Sequence, residues 1–236
     1  MKLDILATLN AEREARRAAI VITDITSGKQ RLVKAADIGK DPLRAMLAEH
    51  LRTGKSGMED TAEGRAFLTV YVPAPQLVIT GAVHISQALA PIGKLLGYDV
   101  TIVDPRTAFA SPERFPDVKV VAEWPDQALP PLNVDRYTAF VALTHDPKID
   151  DPALTHALKR DCFYIGALGS RKTHARRIER LKQQGLTDAD LSRIHAPIGL
   201  DIGAVSPAEI AVAIMAQITE KLREEADAEP AIKAAS

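Results

Sequence analysis

Residues Gln76–Arg106 read QLVITGAVHISQALAPIGKLLGYDVTIVDPR, and this stretch decides the fold. Leu77-Val78-Ile79 is a short apolar run that a Gly-Ala turn at Gly81 closes. From His84 to Leu96 apolar residues fall at Ile85, Ala88, Leu89, Ile92, Leu95 and Leu96, close to helical spacing. Gly97 stands where a left-handed cap would stop that helix. A second apolar run, Val100-Thr101-Ile102-Val103, ends on Asp104. The pattern predicts a strand–helix–strand unit with nucleotide-binding logic. Helix N-terminal amides face a phosphate, and the acid after the second strand receives a ribose hydroxyl.

The glycine fingerprint is incomplete. Counting from Gly81, the GxGxxG template meets Val83 and Ser86 where its second and third glycines belong. Without the second glycine a pyrophosphate cannot approach the backbone as closely, and a β-branched Val83 adds to the obstruction. An NAD(P)-dependent oxidoreductase, with Asp104 at the ribose and His145 in proton transfer, is therefore an alternative resting on one glycine of three.

On either side of this unit the chain, 236 residues long, has room for one large or two small domains. Apolar content of 46% and charged content of 26% are those of a globular protein. A net charge of −1 supplies neither a basic footprint for nucleic acid nor a polybasic membrane anchor. The single cysteine excludes an internal disulfide framework and a cysteine-cluster metal site. Asp4 and Glu12 interrupt the N-terminal stretch, which does not read as a secretory signal, and no run reaches membrane-spanning length. The expected location is cytoplasmic.

Upstream, a helix is expected over residues 3–15, strands over 18–25 and 30–34 around a hairpin turn at Gly28, and a helix over 43–53 started by Pro42. GKSGMEDTAEG reads as a polar glycine-rich loop before a strand over 65–72. These elements predict a small α+β domain over residues 1–73, and Pro73-Ala74-Pro75 marks its boundary. Downstream, strands are expected at 118–121, 138–143 and 163–165. Helices are expected at 152–159 with Asp151 as cap, at 170–184, at 187–193 and at 208–222, the last launched by the capping box Ser206-Pro207-Ala208-Glu209. Alternating strands and helices over 76–222 predict an α/β, Rossmann-like, doubly wound parallel sheet. Residues 223–236, charged and small, are expected to form a frayed tail.

In such a sheet the ligand lies beyond the carboxyl ends of the strands. That rule selects the loops Gly81–His84, Asp104–Arg106, Thr144–Lys148 (with Thr144, His145 and Asp146), Gly166–Lys172 (with Gly166, Gly169, Ser170, Arg171 and Lys172) and Gly199–Ser206. Arg171 and Lys172 fall in the first turn of a helix that Ser170 can cap, where cations oppose the helix dipole at about 0.3–1 kcal/mol each. A bound anion would offset that cost; a solvated basic surface continued by Arg176, Arg177 and Arg180 is the plain alternative. Asp104 and Arg106 suit a ribose diol and an extra phosphate, or simply an Asp-Pro turn. His145 and Asp146 could move a proton or orient a ligand, or could form a turn. His50, His156, His174 and His195 lack zinc-site spacing. Cys162 begins an apolar strand and reads as an inert buried thiol. No catalytic set and no metal site is visible.

Taken together, the segments GAVHISQALAPIGKLLGYDVTIVDPR, ALTHDPKIDDPAL, GALGSRKTHARR and PIGLDIGAVSPAEIAVAIMAQI resemble the XdhC/CoxI family, accessory factors of xanthine dehydrogenase and related molybdenum hydroxylases, over roughly residues 76–222. The resemblance implies binding of molybdenum cofactor, as a mononucleotide or dinucleotide form, its protection, and help with its sulfuration and insertion. It implies a chaperone rather than an enzyme. The implied partners are a client hydroxylase (of xanthine, aldehyde or carbon monoxide dehydrogenase type), a cysteine desulfurase and a second copy in a homodimer. Where members carry Gly-Gly-Cys-Val-Glu, this chain reads Lys55-Ser56-Gly57-Met58-Glu59, without a thiol.

Overall fold

The computed structural model describes residues 2–228. Contacts divide the described residues into two compact units: 2–73 together with 224–228, and Ala74–Arg223.

The first unit holds α1 (Leu3–Glu14), β1 (Ala19–Asp24), β2 (Gln30–Lys34), a 3-10 turn at Ala35–Lys40, α2 (Arg44–Thr53), β3 (Gly57–Thr61) and β4 (Gly64–Tyr71). Its four strands form an antiparallel sheet in the order β2-β1-β4-β3. Strand alternation explains its two small cores. Ala19 and Val21 of β1 meet Ile5 and Leu9 of α1, while Ile20 and Ile22 on the opposite face join Leu47 of α2. The stretch expected to be a polar loop is here β3, whose residues Gly57–Thr61 pair with Leu68–Gly64 of β4. It is an edge strand with one exposed side, so its polar residues Glu59 and Asp60 conceal a ladder that the backbone makes.

The second unit contains β5 (Gln76–Thr80), α3 (His84–Leu95), β6 (Asp99–Val103), β7 (Lys119–Val121), α4 (Pro125–Ala128), β8 (Thr138–Ala142), α5 (Pro147–Leu158), β9 (Tyr164–Ala167), α6 (Arg171–Gln183), α7 (Asp188–Leu191), β10 (Ile194–His195) and α8 (Pro207–Ala228) as far as Arg223. Six parallel strands run in the order β10-β9-β8-β5-β6-β7. The expected doubly wound parallel sheet is therefore present. β5 and β8 are buried nearly throughout, as strands covered on both faces must be. Leu89 of α3 and Ala211, Ile214 and Ile218 of α8 pack on one face with Leu77 and Ile79. Ala153, Leu154 and Ala157 of α5 and Leu181 of α6 pack on the other with Val78 and Phe140. The order reverses between β5 and β8, which places the switch point of the sheet there.

Other expectations are corrected, and one strand is added. α5 starts at Pro147, with Asp146 as its cap accepting from the Lys148 amide, and not at Pro152 with Asp151. Asp-Pro is a helix start here, because proline at the first helical position needs no partner for a missing N–H. β10 was not expected; two residues are too few to show a period. The supposed tail is helical through Ala228 as part of α8, and residues 229–236 lie outside the described residues.

Candidate functional site

At the switch point the loops after β5 and β8 touch. Gly81 has φ of +111°, and a Cβ there would stand 2.8 Å from Thr144 Cγ2 and 3.2 Å from its amide nitrogen. This glycine is fixed by the close passage of the Thr144 segment as much as by any ligand. Ser86, at the position of the third fingerprint glycine, is buried and donates its hydroxyl to the Gly81 carbonyl. The turn is thus closed from inside its own helix. Arg114 reaches it from the loop after β6, donating to the carbonyls of Ala82 at 2.9 Å and Phe109 at 2.8 Å. His84 is the exposed first residue of α3.

Asp104 follows β6 and is fully buried. Its carboxylate accepts from the Ala82 amide at 2.7 Å, the Arg106 amide at 2.9 Å, Arg106 Nε at 2.9 Å and Arg106 Nη2 at 2.7 Å. A carboxylate offers about four acceptor directions, and all are occupied. Burial pushes the Asp104 carboxyl up, but the bonds from Arg106 and the two amides outweigh it and hold the group below the ordinary carboxylate range. Arg106 also lies over the Phe109 ring, 4.7 Å from its centroid. Asp104 is thereby engaged as the internal lock of the Gly81–Ala82 turn, with no acceptor left for a ribose hydroxyl. Arg106, half-buried, is its partner in that lock.

The second buried acid stands in the first turn of α5, just past the loop after β8. Asp150 accepts from the Thr144 hydroxyl at 2.6 Å and from the His145 amide at 2.9 Å. The Thr144 hydroxyl in turn accepts from the Asp146 amide at 3.0 Å. These bonds hold His145 at φ of +66°, a left-handed conformation uncommon for a residue with a side chain. Gly169, at φ of +134°, makes room on the other side: a Cβ there would stand 3.2 Å from Thr173 and 3.7 Å from His145 Nδ1. The histidine ring is therefore held close to the start of α6.

Between the first turn of α5 and the first three turns of α6 lies a cavity of about 190 Å³. His145, Pro147 and Asp150 line one side; Thr173, Arg176, Arg177 and Arg180 of α6 line the other. Arg177 is the unusual member. Its side chain is only 2% exposed, and its Nη2 donates to the Leu168 carbonyl at 2.8 Å. Among the described residues Nε and Nη1 have no hydrogen-bond partner. The Asp150 carboxylate stands 3.9 Å from Nη2, too far for a hydrogen bond. Burial lowers the Arg177 pKa and raises that of Asp150, so each charge is under-compensated. Arg180, by contrast, is bound in a bidentate pair to Asp151 at 2.6 and 3.0 Å.

Comparison with known proteins agrees with this architecture. A family described as the XdhC Rossmann domain matches residues 77–218, more than half of the chain. The chain belongs to the XdhC Rossmann-domain family. It is 30% identical over 155 residues to a probable xanthine dehydrogenase subunit from Bacillus subtilis, an alignment covering 65% of this chain and 45% of the relative. It is 30% identical over 156 residues to the molybdenum cofactor insertion chaperone PaoD of Escherichia coli, covering 66% and 43% respectively. The chain spans less than half the length of these curated relatives. A crystal structure described as a xanthine dehydrogenase from Bacillus halodurans has the same fold, with a TM-score of 0.70 at 22% identity over 97% of this chain and 69% of that one.

Within this XdhC Rossmann domain the expected site residues separate into groups. Thr144, His145, Asp146, Gly169 and Ser170 converge where β8 and β9 end, and Gly81 joins them through its contact with Thr144. Gly166 does not: a Cβ there would strike Ile198 and Tyr164, so the position serves packing. Ser170 caps α6 by accepting from the Thr173 amide at 3.2 Å. Arg171 and Lys172 are exposed and do not line the cavity. The basic residues that do line it lie one to two turns further along α6. Arg177 and Asp150 are the site residues that sequence reasoning missed. The available signal was spacing: Thr173, Arg176, Arg177 and Arg180 recur at three and four, on one helix face. Cys162 is buried, its thiol pushed up to about 12 by burial. Among the described residues no cluster of three His, Cys, Asp or Glu is placed to hold a metal, and no helix is long and apolar enough to cross a membrane.

Proposed function

We propose that this protein is an accessory factor that holds molybdenum cofactor as cargo and hands it to a molybdenum hydroxylase of the xanthine dehydrogenase class. Its Rossmann domain supplies the cofactor-handling surface. The observation that carries this reading is the family match over residues 77–218, with a relative named as a molybdenum cofactor insertion chaperone aligned over 156 residues. The geometry supports it on two counts. The residues at the carboxyl edge suit the phosphate end of the cargo, because a buried guanidinium there retains donors without partners. The turn that would hold a dinucleotide is closed: Ala82 N–H and Asp104 are bonded to one another, and Val83 stands where close approach needs glycine. That arrangement counts against the nicotinamide oxidoreductase, which loses its ribose acceptor.

The loops holding Gly81 and His84, Thr144 through Asp146, and Gly169 through Lys172 are the surfaces assigned to the cargo in this proposal. Direct sulfur handling is not part of it, since the chain's one cysteine is buried and its thiol resists ionisation. A sulfur donor such as a cysteine desulfurase would act on the cargo from outside. The test is retention of cofactor. The protein is purified from a host that makes molybdenum cofactor, oxidised in acid, and assayed for the fluorescent pterin product, with parallel NADH and NADPH titrations. Pterin approaching one per chain without nicotinamide binding is the expected result. No pterin and saturable nicotinamide binding would overturn the reading.

A further inference from the structure

We propose that the cavity between the start of α5 and the Thr173–Arg180 face of α6 is a phosphate-ester site, in which the buried guanidinium of Arg177 binds the phosphoryl group and Arg176 closes over it. What bears the phosphate (the pterin cargo) rests on the reading above; the anion site rests on the geometry alone.

Arg177 keeps Nε and Nη1 buried without acceptors. Desolvating such groups costs about 1–3 kcal/mol each, and more when they are charged. No carboxylate meets them, because Asp150 is held by Thr144 and His145 and stands off at 3.9 Å. Arg180 holds Asp151 in a bidentate pair, and that acid makes no hydrogen bond to Arg177 among the described residues. Three guanidiniums against two carboxylates leave one positive charge over. That surplus favours a bound anion such as a phosphate monoester.

Size narrows the ligand further. A cavity of about 190 Å³ is smaller than the roughly 300–1,000 Å³ of pockets that enclose whole organic ligands. It admits the phosphoryl group and leaves the organic remainder outside. Nε and Nη1 are shielded from water, so entry requires a side chain at the mouth to move. Arg176 is exposed and makes no ion pair among the described residues, which leaves it free to swing aside and return as a second guanidinium on the anion.

The full chain is titrated by calorimetry with inorganic phosphate and, separately, with AMP, at constant ionic strength. Both are expected to bind saturably. Arg176→Gln weakens both by roughly tenfold, the effect of losing one charge-assisted hydrogen bond. Arg177→Lys, which keeps the charge and removes the fork, weakens them at least as much. Lys159→Gln, at the far end of α5, changes neither. Absence of binding by wild type, or wild-type affinity in folded Arg176→Gln, overturns the site. Binding of phosphate with exclusion of AMP overturns the ester. Retained pterin measured in parallel separates the two proposals. Phosphate and AMP binding without pterin keeps this site and sinks the carrier, while pterin without phosphate binding does the reverse.

Discussion

Two acid–arginine pairs stand at the carboxyl edge of the same parallel sheet, two strands apart. Asp104 and Arg106 follow β6; Asp150 and Arg177 meet beside the end of β8. Both acids are buried and both bind backbone amides of a neighbouring loop. They differ in what the arginine does. Arg106 closes its acid with two side-chain bonds and an amide. Arg177 stays 3.9 Å from its acid with two donors unmatched. A closed pair is complete in itself and holds a turn. An open pair is complete only with a further anion. Buried arginines beside acids are therefore not equivalent evidence of a site; their hydrogen bonds, counted donor by donor, tell them apart.

The largest effect should come from breaking the closed pair. Asp104→Ala leaves Arg106 and the Ala82 amide without their acceptor and should cost about 3–5 kcal/mol in urea unfolding. Wild-type stability in this variant would remove the turn lock from the account. Gly81→Val tests the same turn from its other side. It places a β-branched residue at φ of +111° against Thr144 and should cost about 1–3 kcal/mol or more, with a matching fall in unfolding midpoint. Arg106→Met should cost about 1.5–3 kcal/mol, as its charged bonds to Asp104 are lost. Arg177→Met should cost less, about 1 kcal/mol, because one bond to the Leu168 carbonyl and a 3.9 Å attraction to Asp150 are lost while an under-compensated buried charge goes with them. Equal losses in the two methionine variants would erase the distinction between the pairs.

Acid titration sharpens the contrast with smaller effects. Asp104 lies below its ordinary pKa in the fold, so its contribution is present above the ordinary carboxylate range of about 4 and is lost as pH falls through its folded value. Asp150 is shifted up by burial, so its ionisation opposes folding above that range, and the penalty is relieved as pH falls. Asp104→Asn should flatten the acid arm of the stability curve and Asp150→Asn should steepen it. Stability measured by urea unfolding across the carboxylate range checks both signs.

Much of the fold was legible because local signals agreed. The apolar runs at Leu77–Ile79 and Val100–Val103, the helical spacing between them and the stop at Gly97 fixed the first crossover. The Ser206–Glu209 box marked the start of α8, where Glu209 accepts from the Ser206 amide at 2.8 Å. What escaped were elements whose form depends on the strand they pair with. β3 is polar and owes its form to β4; β10 is two residues held by β9. The site was half legible for the same reason. Loop positions follow from strand ends, so Thr144, His145 and Gly169 could be named. Whether an acid is saturated depends on which arginine the fold brings to it. No local pattern showed that Asp104 would be filled by its neighbour at two residues' distance while Arg177 would be left open.

The most direct measurement is the phosphate dependence of thermal stability in wild type, Arg106→Met and Arg177→Met at fixed ionic strength. The account predicts that phosphate raises the midpoint of wild type, as a ligand of the folded state must. Arg106→Met should start lower and keep that rise, and Arg177→Met should start near wild type and lose it. A rise that survives in Arg177→Met, or one that disappears in Arg106→Met alone, would contradict the assignment of the open pair as the anion site.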